Sequence, residues 1–376
     1  MSRVTPLRVA LVFGGRSGEH EVSLISARSV AEALEGRYRV LPMAIDRAGK
    51  WADPATAAEV LEAVGTSPDT TPSFEGVSRL DPRLVTGEVD VVVPILHGPF
   101  GEDGTIQGLC EMLALPYAGC HVEAAAVTMN KLTTKRLLLA AGLPTPRFVE
   151  VRAADWASER EATLSCCLAL PLPLFVKPAR LGSSVGISKV KRAEDLPVAL
   201  ETALDYDELV IVEEGIPARE IEVAVLGGQP PVASQPGEVI PGHEFYDYAD
   251  KYLDNDCQLL APAQLEPALV HEAQRLALRA CDVTGCDAMA RVDFLLDRRT
   301  GRLLVNELNA IPGFTSISMF PRLLALSGVA YPELMDRLIA LALERHARRG
   351  RYASAALRPL ADRAAGSPPA RTEEKS

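Results

Sequence analysis

The sequence predicts an α/β fold class at its N-terminus, because strand-like and helix-like segments alternate there and glycine-rich turns join them. Leu7–Phe13 is an apolar run that ends in a Gly-Gly turn, and Val22–Leu34 carries helical spacing. The same alternation reaches a dense Val/Ile run at Asp90–Leu96. Alternating strands and helices favour a parallel, doubly wound sheet. A separate observation, two β-rich runs at 291–297 and 302–308, predicts a β-hairpin later in the chain.

The turns that follow two of these strands are the first candidate binding elements, since ligands of doubly wound sheets bind beyond the carboxyl ends of strands. The first turn, Gly14–His20, leads into a helix start, where backbone N–H groups favour an anion. Glu19 and Glu21 argue against a phosphate there and indicate an ammonium group instead. A surface helix start with favourably placed acidic residues is the alternative. The second turn begins with His97, which we interpret as a site residue.

Further elements follow from periodicity and composition. We predict a strand at 38–46, a helix and variable loop over 52–88, helices at 105–115 and over most of 122–142, an irregular stretch at 151–170, strands at 172–177, 208–214 and 220–226, and helices at 265–283 and 334–348. The long polar, aromatic-rich segment 238–255 is typical of a functional loop and is interpreted as a lid. From Arg351 the composition predicts a disordered tail.

A lysine that closes a predicted strand is the next candidate. Lys177 ends the strand at 172–177 and is followed by the small-residue loop 178–187. An ammonium beside main-chain N–H groups that a ligand can approach closely is a means of binding phosphates. No Gly-x-x-x-x-Gly-Lys-Ser/Thr motif occurs, so a Walker-type site is excluded. The alternative interpretation is a flexible hairpin tip.

The predicted hairpin carries a candidate metal site. A three-residue loop at 299–301, with Gly in the left-handed position, would pair Asp293 with Glu307 and Arg291 with Asn309. Side chains directly opposite lie about 5 Å apart, where two like charges are destabilising. Two carboxylates and an amide oxygen suit a hard cation such as Mg²⁺ shared with substrate phosphates. The alternative is a solvent-facing strand pair with incidental charges.

Composition narrows the class of protein. The 376 residues suggest two or three domains, and the net charge of −11 argues against a nucleic-acid partner. The longest apolar stretch, near 168–176, is broken by Pro171 and Pro173, so no membrane span is expected. Seven cysteines without a Cys-x-x-Cys pair favour a reducing compartment, and we expect the cytoplasm.

Four motifs carry a resemblance to a known family. They are Gly14–Ser23, His97–Gly104, Lys177–Gly186 and Asn306–Gly313. In this order they are similar to the motifs of D-alanine–D-alanine ligases, which belong to the ATP-grasp enzymes, and the likeness runs from about residue 7 to about residue 345. Each motif alone is weak, but the set is specific.

The resemblance implies the fold class α/β and α+β, with an ATP-grasp fold preceded by the doubly wound parallel α/β domain. The implied division is an N-terminal domain at 1–121, a central subdomain at 122–213, a C-terminal subdomain with the catalytic centre at 214–350, and the tail at 351–376. ATP would lie between the second and third of these.

The resemblance also implies roles for individual residues. The ATP phosphates would contact Lys131, Lys177, Ser184 and, from the long loop, Lys251. The adenine would contact Glu213, Glu214 and Ile216, and the ribose would contact Glu220. Two Mg²⁺ ions, with Mn²⁺ as an alternative, would be held by Asp293, Glu307 and Asn309. The ammonium of the first D-alanine would bind Glu19, supported by Ser183 and Tyr252. The carboxylate of the second D-alanine would bind Ser318 and the N–H of Met319. Arg291 and the N–H of Gly313 would bind the oxyanion.

The activity that the resemblance implies is ATP-dependent joining of two D-alanines, through an acylphosphate, for peptidoglycan and cell-wall synthesis. Tyr252 beside Lys251 favours the dipeptide-forming type over D-alanine–D-lactate or D-alanine–D-serine ligases. A catalytically silent nucleotide-binding protein on the same fold is the alternative from another class. The residues that argue against it are Asp293, Glu307, Asn309, Lys177 and Arg291. The resemblance further suggests a homodimer formed through the N-terminal domain.

Overall fold

The computed structural model describes residues 6–240, 258–315 and 317–356 and contains three separate β-sheets. The strands are β1 Arg8–Gly14, β2 Arg39–Ile45, β3 Val91–Ile95, β4 Phe148–Arg152, β5 Leu174–Pro178, β6 Ser188–Val190, β7 Leu209–Glu214, β8 Ala218–Leu226, β9 Val232–Ala233, β10 Gly237–Ile240, β11 Gln258–Leu260, β12 Met289–Asp297 and β13 Leu303–Asn309. The helices are α1 His20–Leu34, α2 Pro54–Ala63, α3 Thr105–Met112, α4 Val122–Met129, α5 Lys131–Ala140, α6 Ala153–Ser158, α7 Arg160–Leu168, α8 Leu196–Leu204, α9 Pro267–Thr284, α10 Met319–Leu326 and α11 Tyr331–Ala356.

The N-terminal sheet confirms the predicted parallel α/β architecture. Its strand order is β2-β1-β3, both pairings are parallel, and α1 follows β1 across the glycine turn. Every residue of β1 after Arg8 is buried, which is why it reads as a continuous apolar run. Gly14 has a φ of +88°, and a Cβ there would lie 2.2 Å from the carbonyl oxygen of Ile45. The turn that carries Glu19 therefore requires glycine at this position.

The central sheet is antiparallel in the order β4-β7-β5-β6. The prediction that 151–170 is irregular is wrong, because α6 and α7 fill most of that stretch. Trp156 and Cys167 are buried in the core under this sheet, and Leu164 packs beside them. Few apolar residues are spread over two short helices, so the helical period is too weak to read from the sequence.

The third sheet has the order β11-β10-β8-β12-β13, with β9 beside β8, and contains the predicted hairpin. The three-residue loop is wrong: Leu296 pairs with Leu303, which leaves residues 298–301 as the turn. A β-bulge at Asn306 then adds one residue to β13 and shifts the register back.

The bulge restores the predicted pairing where it matters for the site. Arg291 pairs with Asn309 and Asp293 pairs with Glu307. The predicted register is therefore confirmed at the open end of the hairpin and wrong at its tip.

The N-terminal and C-terminal parts share one hydrophobic core. Phe13 and Leu24 belong to the same buried cluster as Phe314, Phe320 and Leu334. This packing brings the turn after β1 to the open end of the β12–β13 hairpin. Helix α11 continues to Ala356, so the prediction of a disordered tail is wrong for 351–356, and the remainder of that tail lies outside the described residues.

Candidate active site

One cavity of about 770 Å³ lies where the three parts of the chain meet. Its walls include most of the residues that the sequence predicts for the substrate and metal sites. The predicted residues along it are Glu19, Lys131, Ser183, Arg291, Glu307, Asn309, Gly313 and Ser318. The fold thus brings together residues that are up to three hundred positions apart in the sequence.

Glu19 lies in a narrow slot at one end of the cavity. The hydroxyl of Ser183 donates a hydrogen bond to the Glu19 carboxylate. A Cβ on Gly98 would lie 2.8 Å, and one on Gly182 3.0 Å, from Glu19 Oε2. Ser183 itself has a left-handed φ of +48°, which a non-glycine residue adopts at a cost. The backbone therefore holds this carboxylate in place, and its charge suits an ammonium group.

His97 connects the Glu19 slot to the C-terminal sheet. Its Nε2 is 3.1 Å from Ser26 Oγ, and its Nδ1 donates to the carbonyl oxygen of Ile311 at 3.2 Å. The same Nδ1 lies 3.6 Å from Glu102 Oε1. Burial would lower the pKa of His97, but Glu102 and, more weakly, Glu19 outweigh it and raise the pKa. His97 borders the cavity, as its place at a strand end led us to expect.

Hairpin residues line the same cavity as Glu19 and pair with protein cations. Arg291 binds Asp293 with both ends of its fork, Nε to Oδ1 at 2.8 Å and Nη2 to Oδ2 at 2.7 Å. Asn309 Nδ2 donates to Asp293 Oδ2 at 3.0 Å. Lys131 Nζ is 3.7 Å from Glu307 Oε2. Two carboxylates and an amide therefore converge, as the register predicts, with an arginine and a lysine beside them.

This donor set fits a hard divalent cation. Among residues 6–240, 258–315 and 317–356, no group of three or more His, Cys, Asp or Glu side chains is arranged to hold a metal ion. The set consists instead of Asp293, Glu307 and the Asn309 amide, all oxygen donors. Mg²⁺ is commonly bound by one or two carboxylates and completes its shell with phosphate oxygens and water. The adjoining cavity leaves room for those further ligands.

Glu222 is a site residue that the sequence analysis missed. It pairs with Asp293 across β8 and β12, is buried, and lines the cavity. Its Oε1 lies 3.2 Å from Arg291 Nε, so the guanidinium lies between two carboxylates. The sequence does contain a signal for Glu222: it lies two residues after Glu220 on a predicted strand, so both side chains are on the same face of the sheet.

The far wall of the cavity is the start of helix α10. Ser318 is its N-cap, and Ser318 Oγ lies 2.7 Å from Thr315 Oγ1. A Cβ on Gly313 would lie 2.8 Å from Ser318 Oγ, so a larger residue here would displace the Ser318 hydroxyl. Backbone N–H groups at a helix start, such as that of Met319, favour an anionic group. The wall suits a carboxylate.

A cluster of buried charges surrounds Glu213, one of the residues to which the resemblance assigns a nucleotide contact. Glu213 Oε2 is 2.6 Å from Lys177 Nζ, and Glu213 Oε1 is 2.6 Å from Lys135 Nζ. Burial would raise the pKa of Glu213, but the two ammonium groups hold it at about 2. Lys135 was missed, although it lies one helical turn from Lys131 and so on the same face of α5.

The remaining predicted residues lie outside the described lining of the cavity. Glu214 binds Arg147, with 2.7 Å between Oε2 and Nη2, and Ser184 has a left-handed φ of +59°. Glu220 lies on β8 between β10 and β12, and Ile216 is half-buried in the connection from β7 to β8. The predicted lid at 238–255 is wrong for residues 238–240, which belong to strand β10. Lys251, Tyr252 and the rest of the predicted lid lie outside the described residues.

Comparison with known proteins identifies the family. The protein-family model of the D-ala D-ala ligase N-terminus matches residues 8–120, and the family model of the D-ala D-ala ligase C-terminus matches residues 137–340. The chain belongs to the D-alanine–D-alanine ligase family. The family consists of ATP-dependent, ADP-forming ligases with the ATP-grasp fold, so the predicted family, fold class and enzyme class are confirmed.

Individual relatives agree over nearly their whole length. The chain is 46% identical over 357 residues to a D-alanine–D-alanine ligase of Chlorobium phaeovibrioides, covering 92% of this chain and 98% of the relative. It is 46% identical over 349 residues to one of Thermoanaerobacter sp., covering 90% and 97%.

Solved structures of the same family superpose on the whole fold. The D-alanine–D-alanine ligase of Coxiella burnetii aligns with a TM-score of 0.76 at 33% identity, covering 94% of this chain and 98% of that one. The VanG D-Ala:D-Ser ligase of Enterococcus faecalis aligns with a TM-score of 0.75 at 30% identity, covering 90% and 100%. Members that differ in their second substrate thus share this architecture.

Two further observations concern the predicted surroundings of the protein. Within the described parts of the chain, none of the helices has both the length and the apolar character that a membrane span needs. Cys110, Cys120, Cys166, Cys167, Cys281 and Cys286 are all free thiols.

Proposed function

We propose that the chain joins two D-alanines into D-alanyl-D-alanine, using ATP to activate the carboxyl group of the first through an acylphosphate. The observation that carries the proposal is that three features lie along one cavity: an ammonium-binding carboxylate at Glu19, a phosphate and metal centre at Glu307 and Asn309, and a carboxylate-binding helix start at Ser318. Asp293 adjoins the second of these, because it accepts a hydrogen bond from Asn309 and pairs with Glu307 across the hairpin. These three features match the three charged groups that the reaction must hold.

The first half of the reaction needs positioning and charge neutralisation more than covalent chemistry. Glu19, with Ser183 bound to it, orients the first D-alanine by its ammonium so that the carboxylate points toward the hairpin. Asp293, Glu307 and Asn309 would hold the divalent ions, which neutralise phosphate charge when bound. Two Mg²⁺ ions, or Mn²⁺ in their place, are the proposed occupants. Lys131 beside Glu307 adds a fixed positive charge at the same end.

The second half of the reaction is attack by the amine of the second D-alanine on the activated carbonyl. Ser318 and the start of α10 hold the second D-alanine's carboxylate. Arg291 and the N–H of Gly313 stabilise the oxyanion, and removing one such donor commonly costs about 3 kcal/mol. Because the substrate amine is the nucleophile, the enzyme needs no nucleophilic side chain of its own.

Nucleotide contacts complete the proposal. Lys131, Lys177 and Ser184 bind phosphates, Glu213, Glu214 and Ile216 meet the adenine, and Glu220 binds the ribose. Lys251 and Tyr252 would reach the γ-phosphate and Glu19 from the segment interpreted as a lid, which would exclude water from the acylphosphate. Glu213 forms an ion pair with a lysine at each oxygen, and a carboxylate oxygen has lone pairs to which an adenine amino group can donate.

The experiment that tests the proposal compares D-alanine, D-lactate and D-serine as second substrates in an assay of ADP release with product identification. We expect D-alanine to give the highest kcat/KM at neutral pH. Faster reaction with D-lactate or D-serine would assign the chain to another branch of the family. Absence of D-alanine-dependent ADP release in the presence of ATP and Mg²⁺ would favour the catalytically silent alternative.

We also propose the surroundings of the reaction. The three sheets support domains at 1–121, 122–213 and 214–350, because each sheet falls within one of these ranges apart from Glu214, the last residue of β7. The free cysteines support a cytoplasmic location. A homodimer through the N-terminal domain is supported by its exposed apolar side chains, among them Met112 at 86% and Val77 at 71% exposure. Light scattering after size exclusion would contradict the dimer by returning the mass of a monomer.

A further inference from the structure

Lys135 is a buried charge that the proposed reaction does not use. Among the described residues it is the one fully buried lysine, with 1% of its surface exposed. Its ammonium lies 2.6 Å from Glu213 Oε1 and donates to Thr145 Oγ1 at 2.9 Å. Burying an ammonium is costly unless it is paired, and breaking such a pair is costly too. A lysine held in this way affects its neighbours chiefly through its charge.

The neighbour that matters is Lys177, which shares the same carboxylate. Glu213 bridges the two ammonium groups, one on each oxygen, and its side chain is only 4% exposed. If Lys135 were neutral, the charge of Lys177 would be cancelled by Glu213 alone. With both lysines charged, the buried cluster keeps a net charge of one positive unit. Lys177 is the member of the cluster closest to water, with 13% of its side chain exposed.

The titration behaviour agrees with this geometry. Burial lowers the pKa of Lys135, whereas Glu213, at the shortest distance, and Glu307 oppose that effect and Lys177 adds to it. The pKa of Glu213 is held at about 2, so at neutral pH its carboxylate is ionised and can pair with both ammonium groups. Burial would lower the pKa of Lys177, but Glu213, Glu307 and Glu220 outweigh it and raise the pKa.

We propose that Lys135 is a positioning residue of the nucleotide site, which offsets the charge of Glu213 so that Lys177 presents net positive charge to the ATP phosphates. The inference rests on the proposed function, because it takes Lys177 as a phosphate ligand. Lys135 itself is not among the residues that line the cavity. It acts through Glu213, because its ammonium group holds the Glu213 carboxylate in position and offsets the charge of that carboxylate.

A merely structural role makes a different prediction. If Lys135 only ties α5 to β7, its loss would loosen the site and weaken every nucleotide by a similar factor. An electrostatic role depends on the ligand's charge, because the lost interaction grows with the number of phosphates. Comparing adenosine, AMP, ADP and ATP on one protein therefore separates the two roles.

The test is isothermal titration of the full-length protein with these four ligands in Mg²⁺ buffer, for the wild type, Lys135→Met, Lys135→Arg and Thr145→Val. We expect Lys135→Met to weaken adenosine less than about threefold and ATP at least about tenfold, with AMP and ADP between them. Lys135→Arg keeps the charge and should bind ATP within about threefold of the wild type. Thr145→Val removes the hydroxyl that accepts from Lys135 without removing a charge and should behave like the wild type.

Steady-state kinetics provide a second readout. Lys135→Met should raise the KM for ATP by a similar factor of about ten, while kcat at saturating ATP changes less than about threefold. If Lys135→Met does not fold, Lys135→Gln takes its place in both measurements.

Several outcomes would overturn the inference. A loss of equal size for all four ligands would assign Lys135 a structural role, and unchanged ATP affinity would assign it none. Wild-type protein that binds ATP but releases no ADP with D-alanine would overturn the proposed function and leave this inference supported or refuted by the titrations. Wild-type protein that binds no ATP would overturn both.

Discussion

Glu213 and Glu307 are two glutamates near the same lysine-rich wall, and their surroundings differ. Glu213 is 4% exposed in its side chain and has an ammonium group 2.6 Å from each oxygen. Glu307 is 31% exposed in its side chain, borders the cavity, and lies 3.7 Å from Lys131. The protein's own cations neutralise the first carboxylate, whereas an incoming cation can reach the second. The contrast teaches that a buried carboxylate here orders the site and an accessible one serves the reaction.

The largest effect should come from the accessible carboxylate. Glu307→Gln removes the charge that would hold the divalent ion but keeps the shape of the side chain. We expect kcat to fall by at least about 10³-fold, toward the upper end of losses seen when one group of a preorganised charged site is removed. ADP release with D-alanine measures it, and circular dichroism should show an unchanged fold. Glu123→Gln, at an exposed helix start, is the matched control. Near-normal turnover of Glu307→Gln would contradict the metal role.

The next effect should come from the guanidinium that lies between Asp293 and Glu222. Lysine keeps the charge of Arg291 but cannot reproduce its planar, two-pronged contact with Asp293. We expect Arg291→Lys to lower kcat by about 10²-fold with a smaller change in the KM for D-alanine. Arg298→Lys, on the same hairpin but exposed, is the control and should leave kcat unchanged. An Arg291→Lys enzyme within threefold of the wild type would refute the oxyanion role.

A smaller effect should follow at the Glu19 slot. The hydrogen bond from Ser183 orients a charged carboxylate, and bonds of that kind contribute about 1.5–3 kcal/mol. Ser183→Ala should therefore raise the KM for the first D-alanine by about tenfold or more, while the KM for ATP changes less. Ser158→Ala, whose hydroxyl donates to Ala154 on an exposed helix, is the control. If both KM values moved together in Ser183→Ala, the loop would act on the nucleotide instead.

The smallest effect concerns stability, and it tests the buried side of the comparison. Because the folded pKa of Glu213 is about 2 against an ordinary 4.5, its ionised form stabilises the folded state above pH 4.5. That contribution, at most about 3 kcal/mol, is lost as pH falls through 4.5 toward 2. Between pH 6 and pH 3, the urea concentration at the unfolding midpoint should therefore fall further for the wild type than for Glu213→Gln.

Urea titration followed by tryptophan fluorescence, in a background that carries Trp51→Phe, measures this difference, because Trp156 lies in the core under the sheet that contains β7. Glu161→Gln, at an exposed position on α7, should retain the full wild-type dependence on pH. Parallel curves for the wild type and Glu213→Gln would show that the lysines do not hold the carboxylate as the structure indicates.

Much of the fold was predictable because its signals are local. The apolar run of β1, the glycine turn after it and the Val/Ile run of β3 each encode their element, and they predict the parallel sheet. Helices α6 and α7 were missed because their few apolar residues pack under a sheet that the local sequence does not reveal. The hairpin register was right at Asp293 because a longer turn and the Asn306 bulge offset each other. Neither irregularity has a local signature.

Site residues that belong to a sequence motif were predictable. Site residues that are defined only by their tertiary contacts were missed. Glu19, Ser183 and Gly313 lie in recognisable motifs, and the fold brings them to one cavity. Glu222 and Lys135 contribute through a partner, so their importance depends on which side chain stands opposite. Their spacing, one strand period from Glu220 and one helical turn from Lys131, is the only local hint of their role.

The most direct test of the proposed reaction follows an oxygen atom. If ATP activates the carboxyl group of D-alanine as an acylphosphate, attack by the second amine breaks the bond between that carbon and the bridging oxygen. D-alanine labelled with ¹⁸O in its carboxyl group should then deliver one labelled oxygen to each inorganic phosphate released, detected by mass spectrometry. Phosphate that forms together with the dipeptide but carries no label would contradict the account.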